Sequence, residues 1–135
     1  MTQKAVVEQF YHRLWNQGDK RYIETIFHPH FTFRGSLGPV LEGHDQFADY
    51  VDNVLGALPG FVCEILEMTE QENRVVARMR FSGHHLGVFM DYPPTGAHVE
   101  WLGSAHFTFQ GALVADLWVL GDVHGLLAQL KANSA

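Results

Sequence analysis

The chain has 135 residues, 47% hydrophobic and 18% charged, which predicts one globular domain over residues 1–135. Its formal net charge of −6 argues against nucleic acid or an anionic membrane surface as a partner. A lone cysteine, Cys63, excludes an intramolecular disulfide, and no apolar run approaches the roughly 20 residues of a membrane span. We therefore expect a protein of the reduced cytoplasm.

The first part of the chain is predicted to be helical. Apolar residues recur at steps of three and four over 6–15, which predicts an amphipathic helix that ends at Gly18. Asp19 is a suitable cap for a second, short helix. That helix must end near His28, because Pro29 disfavours helical geometry in the residue before it.

The later part is predicted to be mostly sheet. A brief strand over 31–35 and a third helix over 45–58 come first. Beyond Gly60 the apolar period changes from about 3.6 to 2, which predicts antiparallel strands over 61–68, 74–83, 98–109 and 112–120. Asp122 is a suitable N-cap for a last helix. Helices followed by a long curved sheet predict an α+β fold.

This order resembles the SnoaL-like polyketide or ester cyclase family of the nuclear-transport-factor-like superfamily. The matching stretches cover nearly the whole chain: "FYHRLWNQGD", "IFHPHF", "VVARMRFSGHHLGVFMDYPPTG" and "DLWVLGDVHGLLAQL". The resemblance implies a cone-shaped, strongly bent, mostly antiparallel sheet covered by the N-terminal helices, with a pocket for one apolar small molecule. It also implies a homodimer through the outer sheet face. Known cyclases of this type close a polyketide ring by intramolecular aldol condensation, without metal or cofactor.

The acid–base positions of that family are apolar in this chain. Ungapped matching places the catalytic aspartate of the characterised cyclases at Val119 and its partner histidine at Ala105. Many relatives carry a histidine in the last strand where this chain has Leu117. The usual aldol mechanism therefore lacks its usual residues here.

Three side chains remain as catalytic candidates. His85, in the connector after the second long strand, is either an acid or base at the pocket rim or a histidine that fixes the turn through loop backbone. Arg34, near the expected mouth, is placed to hold an enolate oxygen or is a solvated rim charge. Asp116 alternates to the outer sheet face, where we expect an arginine partner (Arg78 or Arg80) unless a β-bulge reverses its direction.

Aromatic residues and methionines are more numerous than the inner layers of a small cone need, which indicates an aromatic-lined cavity with few polar groups. The residues expected to line it are Trp15, Phe31, Phe33, Phe47, Met79, Phe81, Phe89, Ala105, Phe107, Leu117 and Val119. The "HPH" sequence at 28–30 has no converging ligands elsewhere in the pattern, so no metal and no other cofactor are expected.

Three functions fit these residues. The first is a cofactor-free cyclase or isomerase that acts on a hydrophobic, carbonyl-bearing small molecule, with His85 as acid or base. The second is a non-catalytic binding protein of the same fold, which the apolar residues at 105, 117 and 119 favour. The third, a small hydrolase, needs a buried aspartate to activate water, and only Asp91 or a displaced Asp116 is available.

Overall fold

The computed structural model describes residues 1–38 and 40–135. Its helices are α1 (Gln3–Gln9), a π-helix (Phe10–Trp15), α2 (Tyr22–Ile26), α3 (Gly43–Ala57) and α4 (Val123–Asn133). Its strands are β1 (Phe27–Arg34), β2 (Val40–Glu42), β3 (Val62–Gln71), β4 (Arg74–His84), β5 (His98–Gln110) and β6 (Leu113–Gly121). The predicted α+β fold is confirmed.

The sheet is curled and unclosed, with the strand order β2-β1-β6-β5-β4-β3 in the described part of the chain. Every neighbouring pair is antiparallel except β1 and β6, which run parallel. The inner-face side chains of the sheet and the apolar sides of the first three helices form one buried core. Burial of this apolar surface is the main source of folding free energy.

The first helix widens into a π-helix at its carboxyl end, where the Asn16 amide donates to the Tyr11 carbonyl at 2.9 Å. Phe10, Tyr11, Leu14 and Trp15 are all buried there. Gly18 follows with φ of 68°, the left-handed conformation expected from the sequence. A π-helix is often found at a functional site, and this one places three aromatic rings in the core.

The structure differs from the prediction around Pro29. The second helix ends at Ile26, and β1 begins at Phe27 instead of residue 31. Pairing of β1 with β6 is irregular between Phe27 and Thr32, where proline offers no backbone donor. The Asp19 carboxylate accepts from the Arg21 side chain and amide and makes no side-chain cap to α2.

A β-bulge in β6 alters the predicted alternation. Thr108 pairs with Asp116, but the next residue of β5, Phe109, pairs with Val114, so Ala115 is the extra residue. Val114 is therefore buried in the core, whereas strict alternation from Asp116 would place it on the outer face. The bulge precedes Asp116, so the alternation from that residue onward is as predicted.

The carboxyl-terminal helix begins as the sequence indicates. The Asp122 carboxylate accepts a hydrogen bond from the Gly125 amide at 2.9 Å, which caps α4. Gln129 of this helix joins it to β5 by accepting from the Glu100 amide and donating to the Glu100 carbonyl. Across the described residues, no helix has the length and apolar character needed to cross a membrane.

Candidate active site

A cavity of about 40 Å³ lies between the inner sheet face and the helices. That volume holds a few water molecules, whereas an apolar cavity of about 150 Å³ is known to bind benzene. Ser36, Leu37 and Tyr50 are partly exposed members of its wall and mark its opening. A ligand with an aromatic ring must therefore displace part of the wall, and the opening is the least buried part of it.

The predicted lining residues divide into two groups. Trp15, Phe33, Phe81, Leu117 and Val119 line the cavity. The others are buried but lie outside the cavity wall: Phe31, Phe47, Met79, Phe89, Ala105 and Phe107. Aromatic packing accounts for phenylalanines of the second group, since the Phe47 ring contacts those of Phe10, Phe31 and Phe33 and helps to fill the core.

The polar groups on the cavity wall were missed from the sequence. They belong to Tyr11 of the π-helix, Ser36 after β1, Tyr50 of α3 and Trp101 of β5. Period 2 was sufficient to find Trp101, because it lies four residues before Ala105 and so faces the same side of the strand. No residue with a charged side chain and no histidine is found among the described residues that line the cavity.

The ionisable groups on the cavity wall are neutral acids. Burial is the main cause that raises the pKa of the Tyr11 hydroxyl, and the neighbouring Cys63 and Tyr50 add to it. Burial likewise raises the pKa of the Tyr50 hydroxyl and of the Cys63 thiol. The cavity therefore offers hydrogen-bond donors at neutral pH, and none of these groups is a ready base.

His85 lies in the connector between β4 and β5 and is fully buried. Its Nε2 is 3.1 Å from the Tyr92 carbonyl oxygen, and its Nδ1 is 3.1 Å from the Thr95 hydroxyl. A neutral ring protonated at Nε2 satisfies both contacts, with Nδ1 accepting from Thr95. The Thr95 hydroxyl in turn accepts from the Ala97 amide. Neither ring nitrogen is left for a ligand in this arrangement, and His85 is not part of the cavity wall.

The rest of the connector is tied to α3 and to itself. The amides of Leu86 and Gly87 both donate to the Ala57 carbonyl. A Cβ at residue 87 would lie 2.6 Å from the Gly56 carbonyl oxygen, so only glycine fits this close approach. Phe89 and Tyr92 exchange backbone hydrogen bonds around a tight turn, and the Phe89 ring packs on Trp101 from outside the cavity.

Arg34 and Asp116 lie on the outer face of the sheet, away from the cavity. Arg34 Nη1 donates to the Val119 carbonyl at 2.7 Å, and its guanidinium lies 5.4 Å from the centre of the Trp118 ring. Asp116 accepts a hydrogen bond from the Thr32 hydroxyl. Arg34 is on β1 and Asp116 is on β6, and neither side chain lines the cavity.

The arginine partner expected for Asp116 is not observed within the described residues. Both expected partners face glutamates across neighbouring strands; these ion pairs are Arg78–Glu67, Arg80–Glu64 and Arg80–Glu100. Asp91, the other aspartate considered for hydrolysis, is exposed in the connector turn. In the part of the chain that the structure describes, no cluster of three or more His, Cys, Asp or Glu residues is placed to hold a metal ion.

Comparison with known families identifies the chain. The model of the SnoaL-like polyketide cyclase family matches residues 5–130. The chain belongs to this family. A comparison with curated protein sequences gave no match.

Solved structures of similar fold agree with this membership. A protein of Jannaschia sp. CCS1 assigned as a SnoaL-like polyketide cyclase is 22% identical, with a TM-score of 0.86 over 98% of this chain and 91% of its own. AclR of Streptomyces galilaeus, assigned as a hydroxylase, is 24% identical, with a TM-score of 0.83 over 96% and 80%. A Catenulispora acidiphila protein with a ketosteroid isomerase-like fold, in complex with trimethylamine, is 14% identical, with a TM-score of 0.82 over 96% and 95%. At these identities the likeness shows that the SnoaL-like chain shares their fold.

Proposed function

We propose that this SnoaL-like protein binds an uncharged, hydrophobic small molecule that carries a carbonyl oxygen, and that the binding site is the cavity under the helices. The observation that supports this proposal is the composition of the wall, which is aromatic and aliphatic with a few neutral hydrogen-bond donors. A carbonyl oxygen accepts from such donors at little cost, and the apolar body of the ligand replaces water. A charged ligand would have to be buried without a partner of opposite charge.

Catalysis as a cyclase or isomerase is the second candidate, and membership of the family favours it. Such chemistry needs a base to remove the proton next to the carbonyl and donors to stabilise the enolate. The Tyr11 and Tyr50 hydroxyls are suitable donors, but the described wall holds no carboxylate and no histidine to act as the base. Binding is therefore the function that the geometry supports best. A hydrolase is less favoured, because no buried aspartate lies at the cavity among residues 1–38 and 40–135.

Acetophenone, a small aromatic ketone, is a suitable probe for the binding proposal. We expect it to bind the purified protein and to shift amide signals of the cavity wall in two-dimensional NMR spectra. Replacing Val119 by Phe fills the cavity and should weaken binding at least tenfold, about 1.4 kcal/mol. Leu120→Phe is the matched control, because the adjacent residue lies on the outer face and is 52% exposed. Equal affinity in Val119→Phe and the control would refute the proposed site.

We also propose that the protein forms a homodimer through the outer face of the sheet. Leu102, Trp118 and Leu120 are exposed there, and burial of each would contribute about 1–3 kcal/mol. Sedimentation at micromolar concentration should show a dimer that Leu120→Lys weakens. Leu127→Lys, which places the same charge on an exposed leucine of α4, should leave it intact. A monomeric wild-type protein would refute this assembly.

The cellular setting that we propose is the reducing cytoplasm. Cys63 is a free, buried cysteine, and such a thiol behaves as a small apolar side chain. Retention of the free thiol is consistent with a compartment that keeps cysteines reduced.

A further inference from the structure

The indole N–H of Trp101 is a buried donor without a partner. Trp101 is 4% exposed, and no hydrogen-bond acceptor within residues 1–38 and 40–135 is in reach of its Nε1. The only other such atom in that part of the chain, Arg80 Nε, lies 3.3 Å from a Glu100 carboxylate oxygen and so has an ionic partner. Leaving a buried donor unpaired costs about 1–3 kcal/mol, which is why these groups are rare in folded proteins.

The surroundings of this N–H connect it to the opening of the cavity. A Cβ added at Gly121 would lie 3.2 Å from Trp101 Nε1 and 2.6 Å from Ser36 Cβ. The indole nitrogen and the Ser36 side chain are therefore neighbours across Gly121. Ser36 is partly exposed and belongs to the opening, so a displacement of Ser36 by an entering molecule exposes the N–H to it.

The rings around Trp101 suit a flat ligand. Phe61 is stacked on Trp101 with ring centres 5.8 Å apart, and Phe81 lies 5.5 Å from the same ring. All three line the cavity. Such a wall stabilises a planar aromatic body, and the unpaired N–H at its edge is a place where a polar atom of the ligand gains a partner.

We infer that Trp101 Nε1 donates the hydrogen bond that positions the ligand carbonyl oxygen, and that the preferred ligand is an uncharged aromatic ketone or aldehyde. This inference rests on the proposed binding function and names the donor and the ligand class within it. An indole N–H donates and never accepts, so it favours a carbonyl over a group of the same shape that has no acceptor. The oxygen lies next to Ser36, and the ring of the ligand lies against Phe61 and Phe81.

Acetophenone and α-methylstyrene test this inference, because they differ only in a carbonyl oxygen replaced by a methylene group. The chain contains three tryptophans, so a ¹⁵N-labelled sample gives three indole N–H signals. Trp101→Phe and Trp118→Phe assign them by removing one signal each. We expect acetophenone to move the Trp101 indole proton downfield, as formation of a hydrogen bond requires, and α-methylstyrene to produce no such shift.

Affinities in the variants provide a second readout. The ratio of the α-methylstyrene Kd to the acetophenone Kd should fall roughly tenfold in Trp101→Phe, since only the ketone loses a hydrogen bond. The smaller phenylalanine ring enlarges the cavity for both probes, and the ratio of the two Kd values removes this shared effect on affinity. Trp118→Phe is the matched control, because this tryptophan lies on the outer face beside Arg34, and it should keep the wild-type ratio.

The outcomes separate this inference from the function on which it rests. Binding of both probes with an unchanged Trp101 signal, or an unchanged ratio in Trp101→Phe, overturns the role of Trp101 and leaves the binding function standing. A ratio that falls in Ser36→Ala but not in Trp101→Phe assigns the donor to the serine and also overturns it. Failure of both probes to bind the cavity overturns the inference and the proposed function together. If Trp101→Phe does not fold, Trp15→Phe and Trp118→Phe identify the third indole signal as that of Trp101, and the titration of the wild-type protein decides.

Discussion

The cavity wall and the connector differ in whether a buried polar group has hydrogen-bond partners. In the connector, both ring nitrogens of His85 have partners, and the Thr95 hydroxyl links the ring to the Ala97 amide. On the cavity wall, the Trp101 N–H is buried without an acceptor in the described residues. Within the described residues, each ring nitrogen of His85 therefore has a partner and the Trp101 N–H has none.

We interpret this difference as the distinction between a polar group that supports the fold and one that is available to a ligand. A buried polar group with all its partners stabilises one backbone conformation and offers nothing to a ligand. A buried donor without a partner costs stability until something supplies an acceptor. The histidine that the sequence makes the foremost catalytic candidate is of the first kind, and a tryptophan that the sequence leaves unremarked is of the second.

The largest expected effect is at His85. We expect His85→Ala to lower the free energy of unfolding by about 2–4 kcal/mol, because it leaves a cavity and removes both hydrogen bonds that hold the connector. Its affinity for acetophenone should stay within twofold of wild type when the variant is folded. Urea unfolding and NMR titration measure the two effects.

Two variants serve as controls for His85. His84→Ala removes the adjacent, exposed histidine and should change stability by less than about 0.5 kcal/mol. His85→Gln retains an amide donor and acceptor and should restore part of the lost stability. If His85→Ala kept wild-type stability but lost probe binding, the connector would belong to the binding site. That result would contradict the distinction between the two regions.

The sequence was sufficient for the α+β class because the features that define that class are local, whereas the curved, helix-covered sheet was expected from the resemblance to the family. Period 2 beyond Gly60, the cap at Asp122 and the left-handed Gly18 each follow from a few neighbouring residues, and each is present. The parallel pairing of β1 with β6 and the bulge at Ala115 depend on contacts between distant residues. Neither feature is encoded in a short pattern, so the parallel pairing was missed and the bulge was considered only as an alternative for Asp116.

The site was predicted less well, for a related reason. Alternation placed Leu117 and Val119 on the cavity wall, and both line it. Whether an aromatic residue fills the core or lines a cavity depends on how the rings pack, which spacing along the chain does not determine. Nor does a histidine in a connector reveal its partners, since the Tyr92 carbonyl and Thr95 hydroxyl reach His85 only once the loop has folded.

A smaller effect is expected on stability at alkaline pH. It tests whether water is excluded from the cavity side chains in the folded protein, as their burial implies. Burial raises the pKa of the Cys63 thiol above its ordinary value of 9.0, so the folded protein holds this proton more tightly than the unfolded chain. The contribution of the Cys63 thiol to the free energy of unfolding is fully present below about pH 9. It is lost as the pH rises further, because ionisation of the thiol then stabilises only the unfolded chain. Cys63→Ala lacks this group, so between about pH 7.5 and 10 the wild-type protein should lose roughly 1.4 kcal/mol more than the variant.

Urea unfolding of both proteins at the two pH values measures that difference, and tyrosine and lysine ionisation cancels in the comparison. Parallel losses in the two proteins would mean that water reaches the thiol in the folded state. The cavity wall beside Tyr11 would then be hydrated. A carbonyl ligand would gain little affinity from a hydrogen bond to the Trp101 N–H, because that bond would replace one between the N–H and water.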